Sequence, residues 1–438
     1  MGLNETISAE RVHISFFGRR NAGKSSLVNA VTGQKLAVVS DVKGTTTDPV
    51  KKSMELLPIG PVVIIDTPGF DDEGELGALR VQKTKEILAK TDVAVLVLDA
   101  MEEMVAQEKE FLALLKEKKL PFVVVHNKMD LLEKVTEEGG SEDVKCLHTK
   151  ENLEDEKSRQ TNVQGSVQNE TKNSVPNIAR ELWVSAIKNI HIQELKELLG
   201  TLAKSKQNDK KIVADLLEKG DVVILVTPID ESAPKGRLIL PQQQTIRDIL
   251  DAGCMAFVCQ DRELPATLEA LSKPPKMVIT DSQAFGRVSK IVPQEIPLTS
   301  FSILFARYKG DLAAQVQGAA MLSKLQDGDK ILIAEGCTHH RQCGDIGTVK
   351  LPNWIQKFSG AEVQIDFTSG GEFPEDLSEY KLVVHCGGCM LNEAEMKHRI
   401  SKAKEAGVPL TNYGVAIAHV NGILKRSLEL FPEVLELL

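Results

Sequence analysis

Nowhere in these 438 residues does an apolar run reach the roughly 18–20 residues needed to cross a bilayer. No membrane-spanning helix is therefore expected. A secretory leader is not expected either, because the N-terminal MGLNETISAERVHISFFGRR lacks a charged start followed by an apolar stretch. Gly2 and Thr6 match an acylation signal in form only, with no second membrane signal beside them. Basic residues are not in excess: 53 Lys and Arg face 62 Asp and Glu, a net charge of -9. That balance argues against a chain built to lie along nucleic acid. Cysteine is sparse and odd in number, at seven. A disulfide scaffold would be denser, and a chain of this size does not need one. The expectation is a cytoplasmic protein with no membrane and no nucleic-acid partner.

Hydrophobic residues make up 42% and charged residues 26%, an ordinary globular balance. The length suggests two to four domains. Residues 11–200 alternate β-branched runs with helix-like stretches: RVHISFFG, PVVIIDTPG, DVAVLVLDA and PFVVVHNKMD are strand candidates. Continuous apolar strands separated by helices indicate a parallel sheet covered on both faces. Residues 134–178 break the pattern with Glu, Lys, Asn, Gln, Ser and Thr, and read as a mobile surface insertion. Two further α/β blocks follow, and no long internal repeat stands out. The expected fold is α/β: a P-loop domain over 1–204, then α/β domains with mainly parallel sheets over 205–308 and 309–438.

Gly18-Arg19-Arg20-Asn21-Ala22-Gly23-Lys24-Ser25 matches GxxxxGK(S/T) between a strand and a helix. Its glycines let the backbone wrap a phosphate chain, with N–H groups and the helix start facing the anion. Lys24 is expected on the β- and γ-phosphates and the Ser25 hydroxyl on Mg²⁺, with Ser26 beside it. Asp66-Thr67-Pro68-Gly69 closes a later strand, placing Asp66 for Mg²⁺ through water and the Gly69 N–H for the γ-phosphate. Asn127-Lys128-Met129-Asp130 ends another strand, and a carboxylate there accepts both guanine N1–H and N2–H. Ser185-Ala186 offers a backbone N–H to guanine O6.

Residues 10–203 thus resemble the small GTP-binding proteins, within the branch that holds the tRNA-modifying GTPases. Asn21 and the segment Ser40-Asp41-Val42-Lys43-Gly44-Thr45-Thr46-Thr47-Asp48 carry the closer resemblance. It implies that Thr46 is a Mg²⁺ ligand and that Asn21, with oxygens from Ser40, Val42 and Thr45, cages K⁺. Phe70 stands where many relatives place a water-orienting Gln. An apolar ring cannot orient water, so K⁺ beside the phosphates is expected to supply the missing charge.

The cysteines are Cys146, Cys254, Cys259, Cys337, Cys343, Cys386 and Cys389. Four lie between residues 337 and 389, a clustering that points to a metal or redox site in a reducing compartment. Cys337-Thr338-His339 and His385-Cys386-Gly387-Gly388-Cys389 each follow a strand candidate, at the edge where α/β sheets bind ligands. Three thiolates with an open fourth position suit a [4Fe-4S] cluster. Cys₃His suits zinc equally by ligand count; a redox dithiol and a set of core cysteines are the other readings. His339 and His385 are candidate ligands or supporting donors. His340 reads as a solvated loop residue, Cys343 as a bystander, and Cys254 and Cys259 as core.

A GTPase-like domain followed by two α/β blocks, with CxH and then HCxxC in the last, resembles the [FeFe]-hydrogenase maturation GTPases. The resemblance implies a [4Fe-4S] cluster on Cys337, Cys386 and Cys389. It also implies a scaffold that passes a binuclear iron precursor to apo-[FeFe]-hydrogenase. Radical S-adenosylmethionine maturases would stand upstream, and the middle block would dimerise the chain into a homodimer or tetramer. The competing reading is a K⁺-dependent GTPase linked to tRNA or the ribosome, with a structural zinc.

Overall fold

The computed structural model describes residues 10–34, 50–69, 83–132, 180–206, 210–228, 238–336 and 346–438. The insertion expected at 134–178 lies outside them. The chain forms two compact units, Arg11–Asn208 and Asp209–Leu438, the second including Met1–Glu10. The blocks expected at 205–308 and 309–438 therefore share one unit. Among the described residues no helix is long and apolar enough to cross a membrane.

The first unit is built on six strands: β1 (Val12–Phe17), β2 (Val50–Leu56), β3 (Gly60–Asp66), β4 (Val93–Asp99), β5 (Phe122–Asn127) and β6 (Arg180–Trp183). Their order is β2-β3-β1-β4-β5-β6. All pairs are parallel except β2 with β3. Alternate residues of each central strand feed two cores. Phe16 packs with Leu27 and Leu195 on one face, and Phe17 with Leu96 and Leu115 on the other. Helices α1 (Lys24–Thr32), α2 (Ala106–Glu117) and α3 (Ile192–Lys206) supply Leu27, Leu115 and Leu195, and Leu96 comes from β4. Strand β2 was not expected from its sequence, VKKSMEL. It is an edge strand with most residues exposed, and Lys51 and Lys52 blunt it against further pairing.

The second unit holds two four-stranded parallel sheets. The first comprises β7 (Val222–Val226), β8 (Met255–Cys259), β9 (Met277–Thr280) and β10 (Leu298–Ser300), ordered β10-β9-β7-β8. The second comprises β11 (Lys330–Ala334), β12 (Gln364–Thr368), β13 (Leu382–His385) and β14 (Leu410–Asn412), ordered β12-β11-β13-β14. Numbered within its own block, each sheet has the order 2-1-3-4. Helices α4 (Leu240–Asp251) and α6 (Leu351–Ser359) occupy equivalent places and both open on Leu-Pro. So do α5 (Phe301–Lys309) and α8 (Tyr413–Val420), while α7 (Glu393–Glu405) precedes β14.

The likeness extends to single hydrogen bonds. Asp221 Oδ2 accepts from Glu218 N at 2.8 Å, and Asp329 Oδ2 from Gln326 N at 2.9 Å. Gly220 and Gly328 follow the same left-handed path, with φ of 89° and 85°. Val278 N donates to Pro297 O at 2.9 Å, and Val383 N to Pro409 O at 2.9 Å. Ser300 caps α5 through Ile303 N, as Asn412 caps α8 through Val415 N. The second unit is a tandem structural repeat, contrary to the sequence expectation. Conserved backbone geometry, carried by short pieces such as Gly-Asp, Leu-Pro and Pro-Leu-Thr, keeps the repeat while the intervening residues differ. The two copies pack through α5 and α8. A Cβ on Gly414 would stand 2.1 Å from Ser302 Cβ, so only glycine admits that approach.

Candidate functional site

The P-loop joins β1 to α1. Gly18 and Gly23 have φ of 147° and 87°, and a Cβ on Gly23 would lie 2.2 Å from Asn127 Nδ2. The loop closes around Lys24, which is buried and donates from Nζ to Gly18 O at 2.9 Å and Arg19 O at 2.7 Å. Ser25 Oγ donates to Asp66 Oδ2 at 2.6 Å. Asp66 ends β3, next to β1 in the sheet, so strand register brings two distant motifs together. Burial raises the Asp66 carboxyl above its ordinary range, opposed by the Ser25 bond and the Lys24 charge. Its Oδ1 is buried without a hydrogen-bond partner among the described residues. A buried hydroxyl–carboxylate pair with one unfilled oxygen fits the donor set of Mg²⁺.

Asn127 is a brace. Its Nδ2 donates to Ala22 O at 3.1 Å, and its Oδ1 accepts from Ala186 N at 3.1 Å. It thereby ties the P-loop to the loop after β6. Asp130 accepts from Ser185 Oγ at 2.6 Å, and Lys128 Nζ donates to Asp99 Oδ2 at 2.6 Å. The Ala186 N–H expected for guanine O6 is thus held by Asn127, and Ser185 N donates to Ile190 O at 3.2 Å. Sequence reasoning missed Arg19, whose Nε reaches the buried Glu108 on α2 at 2.9 Å and anchors the loop's outer side. Gly69 is described and half-buried; Asn21 is exposed with φ of 61°. Ser40, Val42, Thr45, Thr46 and Phe70 lie outside the described residues.

In the second unit, Cys386 follows β13 at the carboxyl edge of its sheet. Its Sγ accepts from Gly336 N at 3.0 Å and from Gly388 N at 3.4 Å. Gly388 has φ of 60°, and a Cβ there would lie 2.5 Å from Met396 Sδ. Burial pushes the Cys389 thiol up, opposed by the Lys309 ammonium and by the N–H groups of Cys389 and Met390. Lys309 comes from α5 of the preceding copy. It is buried, and its Nζ donates to Leu391 O at 3.1 Å and Cys389 O at 3.4 Å. Backbone donors and a buried cation around two thiols suit a site that holds thiolate sulfur.

His385 was a candidate ligand or supporting donor, and both its nitrogens are engaged. Nδ1 donates to Cys386 O at 2.7 Å, and Nε2 accepts from Arg399 at 3.0 Å. Burial and then the Arg399 charge bring its pKa down to about 4, against the pull of the Cys386 carbonyl. It is a neutral support for the cysteine loop, not an open ligand. Arg399 is fully buried and also reaches Glu395 Oε1 and Gly370 O, each at 2.8 Å. Among the described residues no group of three or more His, Cys, Asp or Glu is gathered as for a metal. Cys337, His339, His340 and Cys343 lie outside those residues. Cys254 is buried in the core and Cys259 packs partly against it, as expected.

Three family models match successive stretches of the chain. Residues 13–128 match the 50S ribosome-binding GTPase family, so the first unit carries a GTPase domain. Over 126 residues the chain is 36% identical to the GTPase Der of Sulfurimonas denitrificans, covering 28% of this chain and 25% of that protein. Over 132 residues it is 38% identical to a Thermoanaerobacter tRNA modification GTPase MnmE, covering 30% of this chain and 28% of that protein. The chain spans about a quarter of the length of these relatives. Among solved structures, Era from Aquifex aeolicus bound to GDP and aluminium fluoride is 19% identical. It covers 59% of this chain and 98% of its own, with a TM-score of 0.33. Residues 212–310 match the hydrogen maturase F dimerization domain and residues 313–430 its tetramerization domain. With a GTPase domain, then these two domains in order, the chain belongs to the hydrogen maturase F family.

Proposed function

We propose that the chain is a GTP-hydrolysing scaffold that carries a [4Fe-4S] cluster and a binuclear iron precursor, and delivers the precursor to apo-[FeFe]-hydrogenase. The observation that carries this reading is the Cys386–Cys389 loop: two thiols at a sheet edge, with backbone N–H groups on one sulfur and a buried lysine beside the other. Cys386 and Cys389 would hold the cluster together with Cys337. When bound, the cluster supplies an iron with an exchangeable position. His385 and Arg399 fix the loop that presents the thiols.

In the GTPase domain, Lys24 would leave the loop carbonyls for the β- and γ-phosphates. Ser25 and Asp66 would hold Mg²⁺, with Thr46 completing the set, and Gly69 N–H would meet the γ-phosphate. When bound, Mg²⁺ neutralises charge on the phosphoryl oxygens. Asn21 would hold K⁺, and Asp130 would read guanine. The dimerization and tetramerization domains support a homo-oligomer. Radical S-adenosylmethionine maturases would be the source of the precursor.

The test is anaerobic iron–sulfur reconstitution with electron paramagnetic resonance, run beside GTP turnover on the same variants. Cys386→Ser and Cys389→Ser should lose iron and sulfide yet hydrolyse GTP, and Lys24→Ala should do the reverse. A protein that takes up one zinc and gives no iron–sulfur signal would overturn the scaffold reading.

A further inference from the structure

The tandem repeat places two clefts at equivalent positions. In the second copy, the carboxyl edge of β13 presents Cys386 and Gly387 beneath Phe305 and Lys309 of α5. In the first copy, the carboxyl edge of β7 and β9 presents Pro228, Ser282 and Gln283 beside Ile417 of α8 and Asn421, which caps its C-terminus. The positions correspond by register. Val226 pairs with Thr280 as Ala334 pairs with His385, so Ser282 matches Gly387. Counting from the caps Ser300 and Asn412, Asn421 matches Lys309. The helix after each copy's fourth strand thus roofs the other copy's sheet edge. Ser282 Oγ lies 3.1 Å from Ser302 Oγ, where the two copies meet.

The first copy's cleft is a cavity of about 630 Å³, within the range of small-molecule sites. It lies beside β7, where the strand order reverses, the place open α/β sheets use for ligands. Its chemistry differs from the cysteine cleft. Cysteine and histidine are absent from its lining among the described residues, so the donors are wrong for iron or zinc. In their place stand Arg262, Arg287, Gln260, Gln283, Ser282 and Asn421. The one acidic lining residue, Asp261, is already paired with Arg287. Arg262 therefore leaves the lining with net positive charge, among hydroxyl and amide donors. Guanidinium with such donors is the set that recognises an oxyanion.

We propose that this cavity binds a small oxyanionic molecule, a phosphate or a carboxylate, as the duplicated and re-purposed counterpart of the cysteine cleft. Trp354 lines it and gives a direct reporter. The chain has 2 tryptophans, so Trp183→Phe leaves Trp354 as the sole indole. The full chain, with its P-loop saturated by GDP and Mg²⁺, would be titrated with inorganic phosphate and separately with succinate. A saturable change in Trp354 fluorescence is expected with one or both, and the stronger binder names the ligand's acid group. Arg262→Gln should weaken that binding about tenfold or more, the loss expected for one charge-assisted contact. Arg262 is exposed, so the substitution leaves the core untouched. Lys24→Ala should leave the response unchanged. No saturable change with either anion, or equal binding after Arg262→Gln, would overturn the proposal.

Discussion

Under the proposed function, Lys24 serves phosphate chemistry and Asp130 serves base selection. Lys24→Ala removes the one buried ammonium in the loop, and GTP turnover should fall to background in a phosphate-release assay. Asp130→Asn keeps the shape and the Ser185 contact but turns one acceptor oxygen into a donor. GTP affinity should fall about tenfold or more, read by fluorescent-nucleotide displacement, because a donor then faces a donor. The placement of both residues was legible in the sequence, Lys24 at the start of α1 and Asp130 just after β5. The Asn127 brace was not legible. Its partners, Ala22 O and Ala186 N, are backbone atoms that any residue supplies, and only the fold brings them within reach. The same holds for Lys309, whose place beside Cys389 depends on how two copies pack.

Among the elements, α7 carries the group that sets the cysteine loop. Arg399 is buried against Glu395, His385 and Gly370 O. Arg399→Met should cost about 3 kcal/mol in urea unfolding, because it removes one member of a buried ion pair. Pairing it with Glu395→Leu should recover most of that loss. Gly414→Ala in α8 should cost about 1–3 kcal/mol by overpacking against Ser302, with both sheets retained by circular dichroism. Most central strands were readable because burial on both faces demands continuous β-branched runs. Strands β2 and β10 were not. The first is an exposed lysine-bearing edge, and the second spans only Leu298–Ser300, too short for a period to register. From sequence alone VPLTNYG suggests one strand, yet β14 stops at Asn412, whose side chain caps α8. An Asn before an apolar stretch serves either ending, and the packing of α8 on α5 decides it.

For the whole molecule, oligomerisation has a visible starting point. Strand β8 is an edge, and Met255, Phe257 and Val258 are 49%, 42% and 46% exposed. An apolar edge strand invites pairing with another strand. Phe257→Lys should lower the assembly state in analytical ultracentrifugation while leaving GTP turnover within about twofold, because β8 and the P-loop lie in different units. The repeat itself escaped the sequence because it survives in hydrogen-bond geometry more than in residue identity. The crossed roofing of the two clefts also sets an order of events during synthesis. Helix α5 leaves the ribosome long before α8, carrying Phe301, Leu304 and Phe305, which the finished chain buries. Until α8 docks, the first copy's sheet edge lacks its roof and α5 lacks its packing partner. A chain released before Tyr413 should therefore expose α5 and be captured by chaperones, read by co-purification with the truncated chain.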